Sequence, residues 1–196
     1  AYEIASCLVG SEMCIRDRLE HAFQIAESKG ISAVTSRSVA KSVGCSIQPV
    51  FSQFPTMEDL RQATFEYACS KFVDEVLTFE NQPDFMPKVV SWTIDLARNK
   101  PHLYRLLYFS GRFQGESLME FMMTYESNQK MIVKMSELYG LDTESCKDIL
   151  MRSCLFLLGI GTMICENHFS YTDEQVSKMM KQTVADMVQG AKRHSV

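Results

Sequence analysis

Apolar residues recur at helical spacing along most of the chain, and no segment shows the strict alternation that is typical of a strand. The first stripe, at positions i, i+3, i+4 and i+7, consists of Leu19, Ala22, Phe23 and Ala26. A longer stripe, which predicts a helix extending to about Phe79, consists of Leu60, Ala63, Tyr67, Ala68 and Phe72. The pattern predicts an all-α protein with about nine helices.

The segment between these two stripes, residues 35–54, predicts a helix-turn-helix. Thr35 is a suitable N-cap for a first short helix, and Gly44 is a suitable end because glycine adopts the left-handed conformation of a sharp turn. Ser46 predicts the N-cap of a second short helix, residues 47–53. Two short helices around such a turn fit a DNA major groove, and an ordinary helical hairpin is the alternative interpretation.

The distribution of charge favours the DNA-binding interpretation. The chain has a net charge of −4, yet residues 28–57 contain three basic residues, Lys29, Arg37 and Lys41, and no acidic one. A basic surface confined to one end of an acidic protein suits contact with DNA at that end only. Val50 and Phe54 are expected to face the core, which leaves the exposed side of the second helix to Ile47, Gln48 and Ser52.

A larger set of residues here resembles the N-terminal domain of the TetR-type (TetR/AcrR-like) transcriptional regulators. The matching residues are Leu19-Glu20-His21-Ala22-Phe23-Gln24-Ile25-Ala26, Gly30, Thr35-Ser36-Arg37-Ser38-Val39-Ala40, Gly44-Cys45-Ser46, Val50-Phe51, Phe54 and Met57-Glu58-Asp59-Leu60. Phe51 stands where the family usually has a tyrosine that contacts a DNA phosphate, and Met57 stands where it usually has a lysine. Both differences remove phosphate contacts and predict weakened DNA binding.

The resemblance implies two domains: a helix-turn-helix DNA-binding domain, residues 19–64, and a helical domain for ligand binding and dimerisation, residues 65–196. It implies a cytoplasmic transcriptional regulator, most often a repressor, that binds a pseudo-palindromic double-stranded DNA operator as a homodimer. A small hydrophobic effector molecule would release it, and no cofactor, metal or membrane is expected. The residues expected to contact DNA are Arg37, Lys41, Ser46, Ile47, Gln48, Phe51 and Ser52.

The first eighteen residues do not continue the apolar stripe of the following helix. Residues 1–18 include Gly10 and resemble a translated adapter sequence joined to a truncated gene, so we expect a non-native segment that is disordered or irregular up to about Glu12. A genuine N-terminal arm, made basic by Arg16 and Arg18, is the alternative interpretation.

The C-terminal domain is rich in aromatic residues and methionine. One interpretation is an adaptable apolar cavity for a small ligand, and the other is the ordinary core of a helix bundle. The residues assigned to the ligand pocket are Trp92, Tyr104, Phe109, Phe121, Met122, Tyr125 and Met163. A charged ligand would instead recruit Arg98, Arg105 or Arg112, although each is expected to be a solvated surface residue.

Cap and turn residues divide the rest of the C-terminal domain into long helices. One helix is predicted over 117–138, ended by Gly140, and a second from Thr143, capped by Asp142, to about Glu166. The last begins at Asp173, where Thr172 and Gln175 form a capping-box pair. The clearest break in the chain lies at residues 81–87.

The segment Leu155–Gly161 is apolar on all sides, so we expect its helix to be buried on every side. By the family resemblance it would form a four-helix interface with a second copy, and a central helix within one chain is the alternative. The residues assigned to the dimer interface are Leu155, Gly159, Gly161, Val176 and Met180. The longest apolar run, 155–165, is shorter than the ~20 residues that a membrane span needs.

Other classes of function have weaker support. Seven cysteines occur without a CxxC pair, and the four histidines are scattered, so neither a zinc site nor a disulfide framework is indicated. No nucleophile and base occur in a catalytic arrangement, so we do not expect an enzyme. Two alternatives on the same scaffold stay open: a helical interaction module with weak or lost DNA affinity, and a thiol-based redox sensor that uses Cys154 or Cys165.

Overall fold

The computed structural model describes residues 2–78, 85–112, 117–167 and 169–194, and these contain ten α-helices, one short 3₁₀ turn (Ile31–Ala33) and no strand. The all-α fold class is confirmed. The helices are α1 (Tyr2–Lys29), α2 (Ser36–Val43), α3 (Gln48–Gln53), α4 (Met57–Leu77), α5 (Phe85–Asn99), α6 (Pro101–Phe109), α7 (Leu118–Met123), α8 (Glu126–Tyr139), α9 (Thr143–Asn167) and α10 (Asp173–His194).

These helices form two compact units. The head unit comprises Ala1–Glu75 with Lys100–Arg112, and the body unit comprises Val76–Asn99 with Phe113–Val196. The head unit is larger than the DNA-binding domain that we predicted over 19–64, because it includes most of α4 and all of α6. The predicted break at 81–87 falls mostly on residues outside the described part of the chain.

The first helix begins at Tyr2 and is continuous to Lys29, so the prediction of irregular chain up to Glu12 is wrong. No proline interrupts this segment and Gly10 is its only glycine, so its backbone is compatible with a helix although the apolar stripe is missing. In the helix, Ala22 and Ala26 are fully buried beneath α2 and α6. The non-native origin of residues 1–18 stays a prediction.

The helix-turn-helix forms with most of its predicted caps. The backbone N–H of Ser38 donates to Thr35 Oγ1 at 3.0 Å, and the backbone N–H of Thr35 donates to Ser38 Oγ at 2.9 Å, so Thr35 caps α2 as predicted. Gly44 ends α2 in the left-handed conformation with φ 78°. The cap of α3 differs from the prediction, because its N-cap is Ile47 rather than Ser46 and makes no side-chain capping bond.

Helix α4 starts at a capping box formed by Thr56 and Asp59. The backbone N–H of Asp59 donates to Thr56 Oγ1 at 3.0 Å, and the backbone N–H of Thr56 donates to Asp59 Oδ2 at 2.9 Å. One turn later, the Arg61 guanidinium donates to the backbone carbonyl of Ser32 at 3.3 Å. These bonds fix the start of α4 directly after α3 and tie it to the 3₁₀ turn.

In the body unit, α9 packs against α5, α8 and α10, and α7 packs against α8. The predicted helix over 117–138 is two helices, α7 and α8, because the chain is extended at Tyr125 (φ −91°, ψ 122°). Two side-chain amides bond to backbone carbonyls at the end of α7, where the helical hydrogen bonds are interrupted. Asn128 donates to the carbonyl of Met122 and Gln129 donates to that of Met123, each at 2.8 Å. The predicted caps of α9, by Asp142, and of α10, by Thr172 and Gln175, are both present.

Helix α9 has one buried face and one exposed face in the single chain. The expectation that its apolar segment is buried on every side is therefore not fulfilled within one chain. Leu157, Ile160 and Ile164 are buried, whereas Leu155 is 52% exposed and Met163 is exposed as well. By length and composition α9 could cross a membrane, which corrects the estimate from the shorter run at 155–165. A long apolar helix packed in the core of a helical unit meets the same criterion.

Candidate nucleic-acid interface and ligand cavity

All seven residues predicted to contact DNA have exposed side chains, and all lie on α2, α3 or the turn that joins them. Val50 is fully buried and Phe54 nearly so, which leaves Gln48 and Ser52 on the outer side of α3. Phe51 is 47% exposed. The outer side of α3 therefore offers an amide, a hydroxyl and an aromatic ring, the kinds of group that contact base edges and thymine methyls.

The cations beside α3 are not neutralised. Arg37 and Lys41 on α2 are exposed, and neither forms an ion pair with another described residue. Lys29 at the end of α1 is exposed too, and residues 28–57 contain no carboxylate. Unpaired cations next to an exposed short helix are available for DNA phosphates, which dominate affinity.

Two side-chain contacts from α1 hold the helix-turn-helix in place. Arg18 is 9% exposed and donates through Nη1 to Oε1 of Gln53, the last residue of α3, at 2.7 Å. His21 Nδ1 lies 2.8 Å from Ser42 Oγ near the end of α2. Arg18 belongs to the segment that the sequence predicts to be non-native, but its spacing of four residues before Ala22 places it on the buried side of α1.

Helix α6 is bound to the head unit at both ends. Lys100 Nζ, just before α6, lies 2.9 Å from Glu27 Oε1 on α1. At the other end Arg112 forms a bidentate ion pair with Glu58 in the first turn of α4, donating through Nη1 and Nη2 to its two carboxylate oxygens. The expectation that Arg112 is a solvated surface residue is therefore wrong, since its side chain is 13% exposed. The pair lowers the pKa of Glu58, chiefly through the hydrogen bond from Arg112.

The residues predicted to form the ligand pocket are divided between the two units. Tyr104 and Phe109 belong to the head unit, where Tyr104 is fully buried and Phe109 is 55% exposed. The body unit contains Trp92, Phe121, Met122, Tyr125 and Met163. Within the body unit, Phe121 and Tyr125 pack edge to face with ring centroids 5.4 Å apart, whereas Met163 is exposed.

A cavity of about 490 Å³ lies inside the body unit, between α5, α8, α9 and α10. None of the seven predicted pocket residues lines it. Its lining consists mainly of Met86, Val90, Met131, Met135, Leu138, Ile149, Leu150, Met180, Val184 and Val188, with Lys134, Lys181, Ser153 and Ser177 among them. The sequence signal for it was the pair Met131 and Met135, which share one face of α8, but the pattern does not show which other helices that face meets.

The residues assigned to the dimer interface also divide into two groups. Leu155 and Gly159 are exposed on the outer side of α9, and a Cβ added to Gly159 would meet no other atom. Gly161, Val176 and Met180 are buried in the body unit, and Val176 has no exposed surface. Val176 and Met180 face inwards because α10 packs against both α9 and α5 of its own chain, which corrects their assignment to an intermolecular surface.

The two cysteines considered for redox sensing lie on α9. Burial raises the pKa of Cys154 to about 11. Cys165 is 3% exposed. A raised pKa leaves little of the thiolate that reacts with oxidants, so the surroundings of Cys154 do not activate it.

No protein-family model and no curated protein sequence matches the chain. Among solved structures, two crystal structures of the multidrug binding protein EbrR are similar to it. The structure complexed with ethidium has a TM-score of 0.54 at 16% identity, covering 86% of this chain and 96% of that chain. The structure complexed with imidazole has a TM-score of 0.51 at 14% identity, covering 86% and 93%. The chain therefore has the fold of the TetR-type regulators, as its resemblance over residues 19–60 implied.

Proposed function

We propose that the chain is a one-component transcriptional regulator, a repressor in the TetR manner, that binds an operator in double-stranded DNA and is released by a small molecule. The observation that carries this proposal is the combination on the head unit of an exposed α3 with unpaired Arg37 and Lys41 beside it. A structural helix pair inside a core would not leave the polar side of its second helix exposed next to uncompensated cations.

Each exposed residue has a suitable role on DNA. Gln48, in the first turn of α3, has an amide that can bind both N6 and N7 of adenine. Phe51 can contact a thymine methyl group, while Arg37 and Lys41 bind phosphates and set the register of the helix. Ser46, Ile47 and Ser52 complete the surface, with the serine hydroxyls near phosphates or base edges.

Homodimerisation supplies the second half-site. Two copies of α3 must lie about 34 Å apart to enter successive major grooves, so a fixed dimer is needed for specific binding. The exposed apolar side chains of α9, Leu155, Phe156 and Met163, support this proposal because one copy leaves them in water. Gly159 between them lets a second backbone approach closely.

The connection from α5 to α6 offers a route for release. A single residue, Lys100, joins the end of α5 in the body unit to the start of α6 in the head unit. Met86, Pro87 and Val90 of α5 line the body cavity, and Lys100 and Arg112 tie α6 to the head unit. A ligand that displaces α5 would therefore move α6 and the DNA-binding surface with it, provided that it binds the displaced state more tightly.

The proposal is tested by selecting sequences from a pool of random duplexes with the full chain. The expected outcome is enrichment of a two-fold repeat with half-sites one helical turn apart, and affinity that falls steeply with salt. Enrichment of no sequence, together with salt-independent binding, would contradict the proposal and favour the interaction module, for which the departures at Phe51 and Met57 are the best support.

A further inference from the structure

The body cavity combines apolar walls with charge of one sign. Its lining includes two lysines, Lys134 on α8 and Lys181 on α10, and its described lining residues include no Asp or Glu. Neither lysine forms an ion pair with a described residue, whereas Lys130 on the same helix lies 3.2 Å from Glu126. An apolar cavity beside two uncompensated cations attracts an anion that carries an apolar part.

The positions of these residues orient such a ligand. Ile149, Leu150 and Val188 are buried in the wall, whereas both lysines are exposed at its rim. The hydroxyl of the buried wall residue Ser153 already donates to the carbonyl of Ile149 at 2.7 Å, so it is not a free donor for a ligand. The apolar part of the ligand would therefore pack against the apolar lining of the cavity, and its charged group would lie at the rim beside the two lysines.

We propose that this cavity is a binding site for an amphipathic carboxylate, an acyl chain that ends in an anionic group. Its volume of about 490 Å³ lies within the range of small-molecule sites, ~300–1,000 Å³. Four methionines in the lining, Met86, Met131, Met135 and Met180, can adapt their shape to a flexible chain. Binding itself is independent of the regulatory function, and only its effect on DNA affinity rests on that proposed function.

The test compares three probes that share one chain and differ in their head group: dodecanoate, dodecanol and dodecyltrimethylammonium. Each is titrated calorimetrically into the full chain without DNA, below its critical micelle concentration. The anion is expected to bind at least about tenfold more tightly than the cation, because each lysine favours one and repels the other. Equal affinity for the anion and the cation, or tighter binding of the cation, would overturn the proposal.

Substitutions at the rim locate the charged group. Lys134→Gln and Lys181→Gln should each weaken the binding of dodecanoate about threefold to fivefold and leave the affinity for dodecanol unchanged. The matched control is Lys178→Gln, an exposed lysine on α10 that does not line the cavity and should have no effect. If the control substitution weakens dodecanoate binding as much as Lys181→Gln does, the effect of charge is general and the placement of the ligand's charged group at the rim is wrong.

A substitution in the wall locates the chain. Val184→Phe replaces a small side chain with an aromatic ring that fills part of the cavity, and it should abolish binding of both dodecanoate and dodecanol. Thermal unfolding shows whether the variant is folded. Unchanged binding by the folded variant would place the ligand elsewhere and overturn the proposal. If no probe binds and Val184→Phe changes the sedimentation of the protein, the cavity is covered by a second copy, which also overturns it.

Operator binding separates the two proposals. Dodecanoate that binds the cavity and weakens operator affinity in the wild type, but not in Val184→Phe, supports both the site and its regulatory effect. Dodecanoate that binds without changing operator affinity supports the site and contradicts release through it. Specific operator binding with no dodecanoate binding supports the regulator and overturns the site.

Discussion

The head and body units expose different kinds of surface on α3 and α9: the first is mainly polar and cationic, and the second is apolar. In the head unit the outer side of α3 and the neighbouring part of α2 carry mainly amide, hydroxyl and cationic groups, with Ile47 and Phe51 as the exposed apolar residues among them, and Val50 and Val39 are fully buried. In the body unit the outer side of α9 exposes the apolar side chains of Leu155, Phe156 and Met163. A polar cationic surface suits a polyanion, whereas an exposed apolar helix suits another apolar surface. This difference supports the proposal that the head unit binds DNA and that the body unit self-associates.

Truncation of Tyr104 should have the largest effect on stability, because it decides whether this residue is core or ligand contact. Tyr104 is fully buried in the head unit, with its ring centroid 5.0 Å from that of Tyr108. We expect Tyr104→Ala to lower the free energy of unfolding by about 3–5 kcal/mol, measured by urea denaturation. Phe109→Ala, at a ring that is 55% exposed, is the control and should cost less than about 1 kcal/mol. Equal small losses in both variants would mean that Tyr104 is not a core residue.

The next effect concerns assembly through α9. Leu155→Arg places a charge on the exposed apolar side of α9 and should weaken the dimer at least about 30-fold, measured by sedimentation, since residues at the centre of an interface contribute ~2 kcal/mol or more. Val133→Arg on α8 is the matched control, because Val133 is 58% exposed and Leu155 is 52% exposed. A dimer that survives Leu155→Arg and dissociates with Val133→Arg would place the interface on α8.

The predictability of the two units from sequence differs for a physical reason. Elements of the head unit are determined by local signals: Thr35 and Gly44 act within one turn of their own position, and the structure places both as predicted. The Thr56–Asp59 capping box at the start of α4 is a signal of the same kind. The N-cap of α3 was missed because the exposed Ser46 precedes the cap position and makes no capping bond. Short-range chemistry of this kind is visible in a sequence.

In the body unit the missed features depend on contacts between distant segments. The break at Tyr125 is the exception, because the amides of Asn128 and Gln129 that stabilise it bond to carbonyls only six residues earlier; it was missed because no periodic pattern shows such side-chain bonds. The cavity requires residues of four helices that a single stripe cannot combine. Val176 is apolar and lies on the last helix, but only the packing of α10 on its own chain shows that it faces inwards.

Substitutions on the head surface should separate base contact from phosphate contact. We expect Gln48→Ala to reduce the free energy of binding to the selected operator by about 1–3 kcal/mol and to change binding to random DNA little. Lys41→Ala should weaken both alike and reduce the slope of log affinity against log salt by about one. Fluorescence anisotropy at several salt concentrations gives both quantities, and Gln24→Ala, at an exposed glutamine on α1, is the control. Equal losses on operator and random DNA would contradict base contact by Gln48.

A smaller effect is expected from the acid stability of the head unit. Glu20 accepts a hydrogen bond from Tyr67 Oη at 2.5 Å and lies 3.0 Å from Lys71 Nζ, and these contacts lower its pKa below the ordinary 4.5. The resulting stabilisation is present above that ordinary value and is lost as the pH falls through the lowered pKa. Glu20→Gln should thus lower stability by up to about 1 kcal/mol at pH 7 and have no such effect at pH 2.

The control for this effect is Glu66→Gln, an exposed carboxylate on α4 that accepts only an amide hydrogen bond from Gln62, at 3.1 Å, among the contacts described for it. It should change stability little at either pH. A loss caused by Glu20→Gln that is the same at pH 2 as at pH 7 would show that the carboxylate charge does not contribute.

The smallest effect concerns Cys154, and it tests whether the body unit senses oxidants. Burial raises the pKa of this thiol from 9.0 to about 11, which reduces its thiolate fraction near neutral pH about a hundredfold. We therefore expect iodoacetamide at pH 7.5 to modify Cys154 at least about a hundredfold more slowly in the folded protein than in urea. Peroxide should leave operator affinity unchanged in the wild type and in Cys154→Ser alike. Rapid modification of the folded protein at Cys154, with loss of DNA binding that Cys154→Ser prevents, would instead establish the redox sensor, because an unactivated thiol cannot give that result.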